Sequence, residues 1–299
     1  MAEGKRYEGV YAAMSTPLTS EQEIDHDGVK RVVDHLLAGG IDGLSILGST
    51  GECNGLRHPQ RREMLAATLE AVNGRGTVFT GAAGTVVDDI VADLQASEGM
   101  GASGALVPPP FYFPLSTPAV IDYYEHVAAA SPVPLILYNI PRMTKVQIAV
   151  EAVARLAGNP RIIGIKDSSG DFGYFQEVVA ATRDNPSFTV LTGSDGLLAA
   201  SLFVGDHGVI GAGVNVVPDL EAQLFQAFKR GDREAALAIQ PRIVAATAAC
   251  RLGVFPAAYK GALAAKGLCG PTMTRPIPAL TDAELGQLRG RLAELGIVG

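Results

Sequence analysis

The stretch Ile162-Ile163-Gly164-Ile165-Lys166-Asp167 is an apolar, mostly β-branched run that ends in a lysine and an aspartate. Continuous hydrophobicity without alternation is typical of a parallel strand that is buried on both faces. Seven similar runs occur along the chain, each bounded by Gly, Pro or Asp. The eight runs are 10–14, 43–48, 78–82, 105–108, 135–140, 162–167, 189–193 and 208–212. Each intervening segment is long enough for one right-handed crossover helix, which predicts an α/β fold of the (β/α)₈ TIM-barrel class.

The alternative α/β architecture is an open, doubly wound sheet. Such sheets usually carry a Gly-rich phosphate-binding turn after an early strand. Neither GxGxxG nor GxxxxGK[ST] follows any of the eight runs, so both nucleotide-binding fingerprints are absent. Eight units therefore favour the closed barrel.

Beyond about residue 230 the pattern is helical only, over 233–251, 256–266 and 281–295. Thr281 and Glu284 have the spacing of a capping box, which marks the start of the last helix. We therefore predict a barrel over residues 1–230 and a C-terminal helical extension, packed on the barrel, over 231–299.

Composition excludes several classes of protein. Of 299 residues, 47% are hydrophobic and 18% charged, which excludes a disordered chain because ample apolar material is present for a core. The net charge is −7 and the basic residues are scattered. Nucleic-acid binding needs a concentrated basic face, so no nucleic-acid partner is expected.

The cysteines and histidines predict no metal site. Cys53, Cys250 and Cys269 have neither CxxC nor zinc-ligand spacing, and the five histidines share no metal-ligand pattern. The start of the chain has no apolar segment, and no run of 18 apolar residues occurs. We expect free thiols, no membrane span and a cytoplasmic location.

Lys166 is the strongest candidate for catalysis. In barrels of this class the active site lies at the C-terminal ends of the strands, and only this lysine interrupts a strand-like run. Desolvation there favours the neutral amine, which can attack a carbonyl carbon to form a Schiff base. The alternative is a structural lysine that snorkels out of the barrel or pairs with Asp167.

Two further loops carry polar groups at strand ends. In Gly48-Ser49-Thr50-Gly51-Glu52, two glycines allow backbone N–H groups to converge on an anion such as a carboxylate, although an ordinary tight turn fits equally well. Tyr138, in the run 137–141, can transfer a proton to or from a substrate hydroxyl, or can simply fill the top of the barrel.

Three other loops follow strands. Residues 108–114 combine prolines with aromatic residues, which suits an interface patch or a pocket wall. Residues 192–195 and 211–213 follow the last two strands, where many barrels bind phosphate. Close packing around a non-phosphorylated ligand explains these two loops equally well.

At these positions the sequence resembles the dihydrodipicolinate synthase/N-acetylneuraminate lyase family of class I, pyruvate-handling barrels. The resemblance covers nearly the whole chain. It rests on GSTGE at 48–52, PFY at 110–112, YNIP at 138–141, GIKD at 164–167 and GSD at 193–195, in the family's order and approximate spacing.

The resemblance implies a role for each matching residue. Lys166 would form the Schiff base with the C2 carbonyl of a 2-oxo acid, with Tyr138 and Ser49 as proton-transfer groups. The backbone N–H of Thr50 would bind the carboxylate, beside Gly48. Two further positions match: Ile210, a backbone position of the Schiff-base pocket, and Tyr112, which would reach across a tight dimer into the neighbouring site. The family's usual assembly is a homotetramer, and its mostly unphosphorylated substrates weaken the phosphate interpretation.

The sequence departs from the synthase pattern at one informative position. Synthases generally carry an arginine two residues after the proline of YNxP, where it receives the carboxylate of the aldehyde partner; here that residue is Met143. Arg142 lies one position earlier and is expected to point elsewhere. Lyases tend to have an apolar residue at the position of Met143. Both Arg142 and Met143 are therefore candidates for substrate selection. Lys145 stands at a position, after Thr144, where the family commonly has glycine.

The sequence therefore predicts a Schiff-base lyase or aldolase that cleaves or forms a C–C bond between pyruvate and an aldehyde, on a hydroxy-2-oxo acid or deoxy sugar acid. The iminium would act as the electron sink, so no cofactor is expected. Three alternatives stay open: dihydrodipicolinate synthase itself, acting on aspartate semialdehyde; a sugar-acid dehydratase that uses the same lysine; and a non-catalytic ketoacid-binding barrel.

Overall fold

Eight parallel strands close into a barrel in the computed structural model, which describes residues 6–299. The strands are β1 (Gly9–Ala13), β2 (Gly43–Ser45), β3 (Thr77–Gly81), β4 (Gly104–Val107), β5 (Leu135–Asn139), β6 (Ile162–Asp167), β7 (Thr189–Thr192) and β8 (Gly208–Gly211). Each pairs with its neighbours along the chain, and β1 also pairs with β8. The predicted (β/α)₈ barrel is thus confirmed. β2 ends three residues early because Leu47 takes a positive φ of 57°.

Helices separate the strands and continue after the last one. They are α1 (His26–Ala38), α2 (His58–Val72), α3 (Val87–Gln95), α4 (Thr117–Ala130), α5 (Pro141–Thr144), α6 (Val150–Leu156), α7 (Phe172–Thr182), α8 (Leu198–Val204), α9 (Pro218–Lys229), α10 (Arg233–Ala249), α11 (Ala257–Ala265) and α12 (Asp282–Glu294). The three C-terminal helices and the capping box of Thr281 and Glu284 are confirmed. The boundary near residue 230 stays a prediction, since α10 packs directly on α9.

Successive strand residues point alternately into the barrel and toward the helices. The barrel interior is filled by Tyr11, Ala13, Phe79, Leu106, Ile136, Tyr138, Ile140, Leu191 and Ile210. Lys166 pairs in register with Tyr138 on one side and with Leu191 on the other. Register partners in a parallel sheet share a face, so Lys166 points into the barrel.

A buried ion pair joins the loop after β2 to the C-terminal extension. Lys260, on α11, is fully buried and forms a salt bridge with the Glu52 carboxylate. Its Nζ also donates to the carbonyl of Thr272 at 2.7 Å. Glu52 Oε2 accepts from the backbone N–H of Thr274 at 2.7 Å and from its hydroxyl at 3.0 Å. Burial lowers the pKa of Lys260, and the charge of Glu52 opposes that shift.

Replacing Lys260 by methionine removes one partner of this ion pair. We expect Lys260→Met to lower the free energy of unfolding by about 3–5 kcal/mol, because it leaves the Glu52 charge buried and uncompensated. Urea denaturation measures the change. The double variant Glu52→Gln/Lys260→Met should lose less stability than the single one, and an equal or larger loss would contradict a role for charge pairing.

Candidate active site

A polar cavity of about 630 Å³, here called the Lys166 cavity, opens near the C-terminal ends of the strands. Its walls come from strand ends and from the extension. They include Thr50, Tyr138, Ile140, Arg142, Lys166, Ser168, Gly193, Asp195, Ala212, Thr247, Cys250, Arg251, Phe255 and Tyr259. This end of the barrel is where active sites of the fold lie. The extension therefore forms one wall of the site.

Lys166 is held inside this cavity by its neighbours. It is 4% exposed, and its Nζ lies 4.4 Å from the centre of the Tyr138 ring. A Cβ on Gly193 would lie 2.9 Å from Lys166 Cε, so this glycine makes room for the lysine. Asp167 points to the other face, where it bonds Asn139 at 2.7 Å and Ser169 at 2.9 Å. Both structural alternatives for Lys166, snorkelling and pairing with Asp167, are therefore wrong.

Tyr138 links the lysine to the loop after β2. Its hydroxyl lies 3.4 Å from Ser49 Oγ, within hydrogen-bonding distance, while its ring faces Lys166 Nζ. Tyr138 is 4% exposed. A phenol between an amine and a second hydroxyl can accept a proton from substrate and pass it on. The alternative of a purely space-filling tyrosine leaves the Ser49 contact unexplained.

The loop 48–52 is closed by two turns. Glu52 N donates to the Ser49 carbonyl at 3.2 Å, and Cys53 N donates to the Gly48 carbonyl at 3.3 Å. Glu52 takes a left-handed φ of 59°, an unusual conformation for a residue other than glycine. Its ion pair with Lys260 holds that conformation in place. Thr50 is buried and lines the Lys166 cavity.

A second cavity of about 260 Å³, here called the Met143 cavity, adjoins the first. Mostly apolar side chains line it, and the two cavities share Tyr138, Ile140, Phe255 and Pro256. Gly48, Ser49 and Met143 are on its wall. Among the described residues no lysine or arginine lines it. The position that carries an arginine in synthases thus faces an apolar space.

The position of the Arg142 side chain differs from the one that the sequence predicted. We expected it to point elsewhere, but it lies on the wall of the Lys166 cavity, with its guanidinium 5.7 Å from the Phe255 ring centre. Lys145, which follows this short helix, takes a positive φ of 60°. That conformation explains why glycine is common there in the family.

Two predicted site residues line neither the Lys166 cavity nor the Met143 cavity. Ile210 is fully buried in the barrel interior, and Ala212 lines the cavity instead. Tyr112 is 78% exposed and makes an edge contact with Phe113, itself 70% exposed. Tyr112 therefore contributes nothing to the site of its own chain.

Sequence reasoning missed the residues that the extension supplies. Thr247, Arg251, Phe255 and Tyr259 reach the cavity from α10, from α11 and from the segment between them. None belongs to a recognisable motif. Within residues 6–299 no three His, Cys, Asp or Glu side chains cluster as metal ligands, and no helix is both long and apolar enough to cross a membrane. All three cysteines are free and buried.

A (β/α)₈ barrel with a buried lysine beside a phenol and a hydroxyl, at the C-terminal end of its strands, is the arrangement of a class I, pyruvate-dependent lyase. Residues 6–295 match the dihydrodipicolinate synthetase family, and the chain belongs to that family.

Relatives match over the full length of the chain. An uncharacterised DapA-like lyase of Halobacterium salinarum is 33% identical, over 97% of this chain and 94% of the relative. A 4-hydroxy-tetrahydrodipicolinate synthase of Gluconacetobacter diazotrophicus is 32% identical, over 98% of each chain. Among solved structures, YagE, a family member from E. coli K12 in complex with pyruvate, superposes with a TM-score of 0.93 at 28% identity, over 97% of this chain and 99% of YagE.

The contact between Tyr138 and Ser49 generates a prediction for catalysis. Tyr138→Phe removes the proton-transferring hydroxyl but keeps the ring beside Lys166. We expect it to slow the release of pyruvate from a 4-hydroxy-2-oxo acid by about 10² to 10⁴-fold while borohydride still traps a pyruvate adduct. Ser49→Ala, measured alongside, should cause a smaller loss. Undiminished turnover in Tyr138→Phe would contradict the role of this hydroxyl.

Proposed function

We propose that this chain cleaves a 4-hydroxy-2-oxo acid into pyruvate and an aldehyde through a Schiff base on Lys166, and catalyses the reverse addition. The observation that carries the proposal is the geometry at Lys166. Its amine is buried at the base of an open polar cavity, 4.4 Å from the ring of a tyrosine that contacts a serine hydroxyl. A non-catalytic binding barrel has no need of this arrangement.

The first half of the reaction forms the covalent intermediate. The lone pair of Lys166 Nζ attacks C2 of the oxo acid, and the carbonyl oxygen leaves as water after accepting two protons. The product is an iminium, whose positive charge can accept the electron pair of a neighbouring bond. The backbone N–H of Thr50, in the turn beside Gly48, would bind the carboxylate on C1.

The second half breaks the C3–C4 bond. Tyr138 accepts the proton of the C4 hydroxyl and passes it toward Ser49, while the C4 oxygen forms the aldehyde carbonyl. The electron pair of the C3–C4 bond moves into the iminium and leaves an enamine on Lys166. Protonation of the enamine at C3 restores the iminium, and water then releases pyruvate and the free amine.

The wall around Met143 supports a lyase rather than a synthase. Dihydrodipicolinate synthase must bind the carboxylate of aspartate semialdehyde, whereas the cavity at Met143 offers apolar side chains and no cation. Arg142 lies on the other cavity and provides positive charge closer to Lys166. The synthase reaction is the second candidate, favoured by the relative that carries the synthase name.

We also infer an assembly and a location. The exposed aromatic residues Tyr112 and Phe113 flank a cavity of about 680 Å³, which supports a tight dimer that covers this loop and a homotetramer built from such dimers. Three free, buried cysteines support a reducing, cytoplasmic environment.

Trapping with borohydride tests the proposed Schiff base directly. Incubation with pyruvate and borohydride should add the mass of reduced pyruvate to the chain, at Lys166 in the peptide map. Lys166→Ala should show no adduct and retain the thermal unfolding of a folded barrel. An adduct at another lysine, or no adduct in the wild-type chain, would overturn the proposal.

A substrate panel then separates the alternatives. Pyruvate release from 4-hydroxy-2-oxo acids indicates the lyase, and condensation of pyruvate with aspartate semialdehyde indicates the synthase. Loss of water from a sugar acid without release of pyruvate indicates the dehydratase. Only the first outcome agrees with our proposal.

The aromatic loop generates a prediction for the assembly. Tyr112→Ala should weaken the tight dimer and reduce turnover together, because the tyrosine would cover a surface and complete the neighbouring site. Sedimentation velocity and pyruvate release measure the two effects. Val86→Ala is a suitable control, since Val86 is also an exposed apolar residue, at 53%. Unchanged assembly and turnover in Tyr112→Ala would contradict the inference.

A further inference from the structure

Two buried carboxyl groups adjoin each other at the edge of the Lys166 cavity. Asp195 follows β7, is 7% exposed and lines the cavity. Glu221, on α9, is fully buried, and its carboxyl group adjoins that of Asp195. Among residues 6–299 no N–H or O–H group donates to either oxygen of Glu221. The mechanism above uses neither residue.

The chain is built closely around Asp195. Its Oδ1 accepts a hydrogen bond from the N–H of Gly213 at 2.9 Å. A Cβ on Gly211 would lie 2.0 Å from that oxygen, and a Cβ on Gly213 would lie 2.9 Å from Asp195 Cγ. Gly211, which ends β8, and Gly213, just after it, therefore make room for a carboxyl group of the protein. This explains the loop 211–213 without a bound phosphate.

Two adjacent buried carboxyl groups cannot both be ionised, because their like charges repel in a medium that solvates them poorly. One proton must therefore be shared by the pair. Burial, together with the charge of Asp195, raises the pKa of Glu221 well above its usual range. Burial also raises the pKa of Asp195, but the Gly213 N–H, the Glu221 hydrogen bond and the charge of Lys166 oppose that shift. Asp195 accepts the Gly213 N–H at 2.9 Å, whereas no N–H or O–H group of residues 6–299 donates to Glu221, so the negative charge is better held by Asp195 and the proton by Glu221.

The groups that face the pair leave Lys166 as its cationic partner. Cys250, at the end of α10, and Tyr259, on α11, interact electrostatically with Asp195. Both are neutral, because burial raises the pKa of the Cys250 thiol to about 12 and that of the Tyr259 phenol further. Lys166, on β6, lines the same cavity as Asp195, and its charge opposes the rise in the pKa of Asp195.

We propose that Glu221 is a positioning residue that donates its proton to a hydrogen bond with Asp195 and so keeps one negative charge facing the cation on Lys166. This inference rests on the proposed Schiff base. The iminium formed on Lys166 carries the positive charge that Asp195 stabilises. No proton leaves the pair during turnover. Without the Glu221 donor, Asp195 takes up a proton itself and the countercharge is lost.

Two variants of similar size separate hydrogen bonding from packing. The amide of Glu221→Gln can still donate to Asp195, whereas the side chain of Glu221→Met cannot. The measured quantity is the pyruvate concentration that gives half-maximal borohydride trapping. We expect this concentration to be nearly that of the wild type in Glu221→Gln and about tenfold higher in Glu221→Met. Asp206→Asn is the matched control: Asp206 is also a buried acid with a raised pKa, but it is absent from the cavity wall.

The outcomes distinguish the two proposals. Absence of any adduct in the wild-type chain would refute the Schiff base itself. If Glu221→Met forms the adduct on Lys166 with the same dependence on pyruvate concentration as the wild type, the Schiff base stands and the role of Glu221 is overturned. An equal loss in Glu221→Gln and Glu221→Met would also overturn it.

An infrared measurement keeps the test valid if Glu221→Met does not fold. The difference spectrum between wild type and Glu221→Gln should contain one carbonyl band of a protonated carboxylic acid, present only in the wild type. Absence of that band would refute a protonated Glu221.

Stability against pH supplies an independent readout. A carboxyl group whose pKa is raised by folding stabilises the protein below its unfolded pKa, and that stabilisation is lost as the pH rises toward the folded pKa. The wild type should therefore lose stability relative to Glu221→Gln as the pH rises above about 4.3. A stability difference that does not depend on pH would contradict the proposal.

Discussion

The register between β5, β6 and β7 is the constraint on which the site depends. It places three residues at one level inside the barrel, with Lys166 on β6 between Tyr138 on β5 and Leu191 on β7. A slip of one residue would turn Lys166 outward and bring Asp167 into the core. The hydrogen bonds of Asp167 with Asn139 and Ser169 oppose that slip on the outer face. The same backbone pairing that closes the barrel thus positions the amine of Lys166.

Two buried polar pairs border the site, and the extension supplies a residue of one of them. The ion pair of Glu52 with Lys260 holds the loop that carries Ser49 and Thr50, while Asp195, which adjoins Glu221, lines the Lys166 cavity from the barrel. Burying charge is costly unless each group has a partner, so these contacts specify geometry more than they add stability. The strained φ of Glu52 is consistent with that interpretation, since the ion pair holds a conformation that the residue would not otherwise adopt.

Much of the fold and part of the site were predictable. Continuous apolar runs identified every strand, because both faces of a barrel strand are buried, and the lysine within one run stood out against that background. Arg142 and Glu221 were not predictable in this way. The direction of Arg142 depends on the short helix α5 and on stacking over Phe255, which lies more than a hundred residues away in sequence. Glu221 occupies an ordinary helical position, and only packing against Asp195 distinguishes it.

The sequence by itself determined the strand order, the barrel and the position of Lys166 within a strand, because local hydrophobic pattern and chain order set these properties. The tertiary structure alone decided which side chains meet around that lysine. It brought together loops after β2, β5, β7 and β8 with helices of the extension, and it placed Met143 and Arg142 on different cavities. Such contacts depend on the closure of the barrel, which no local pattern encodes.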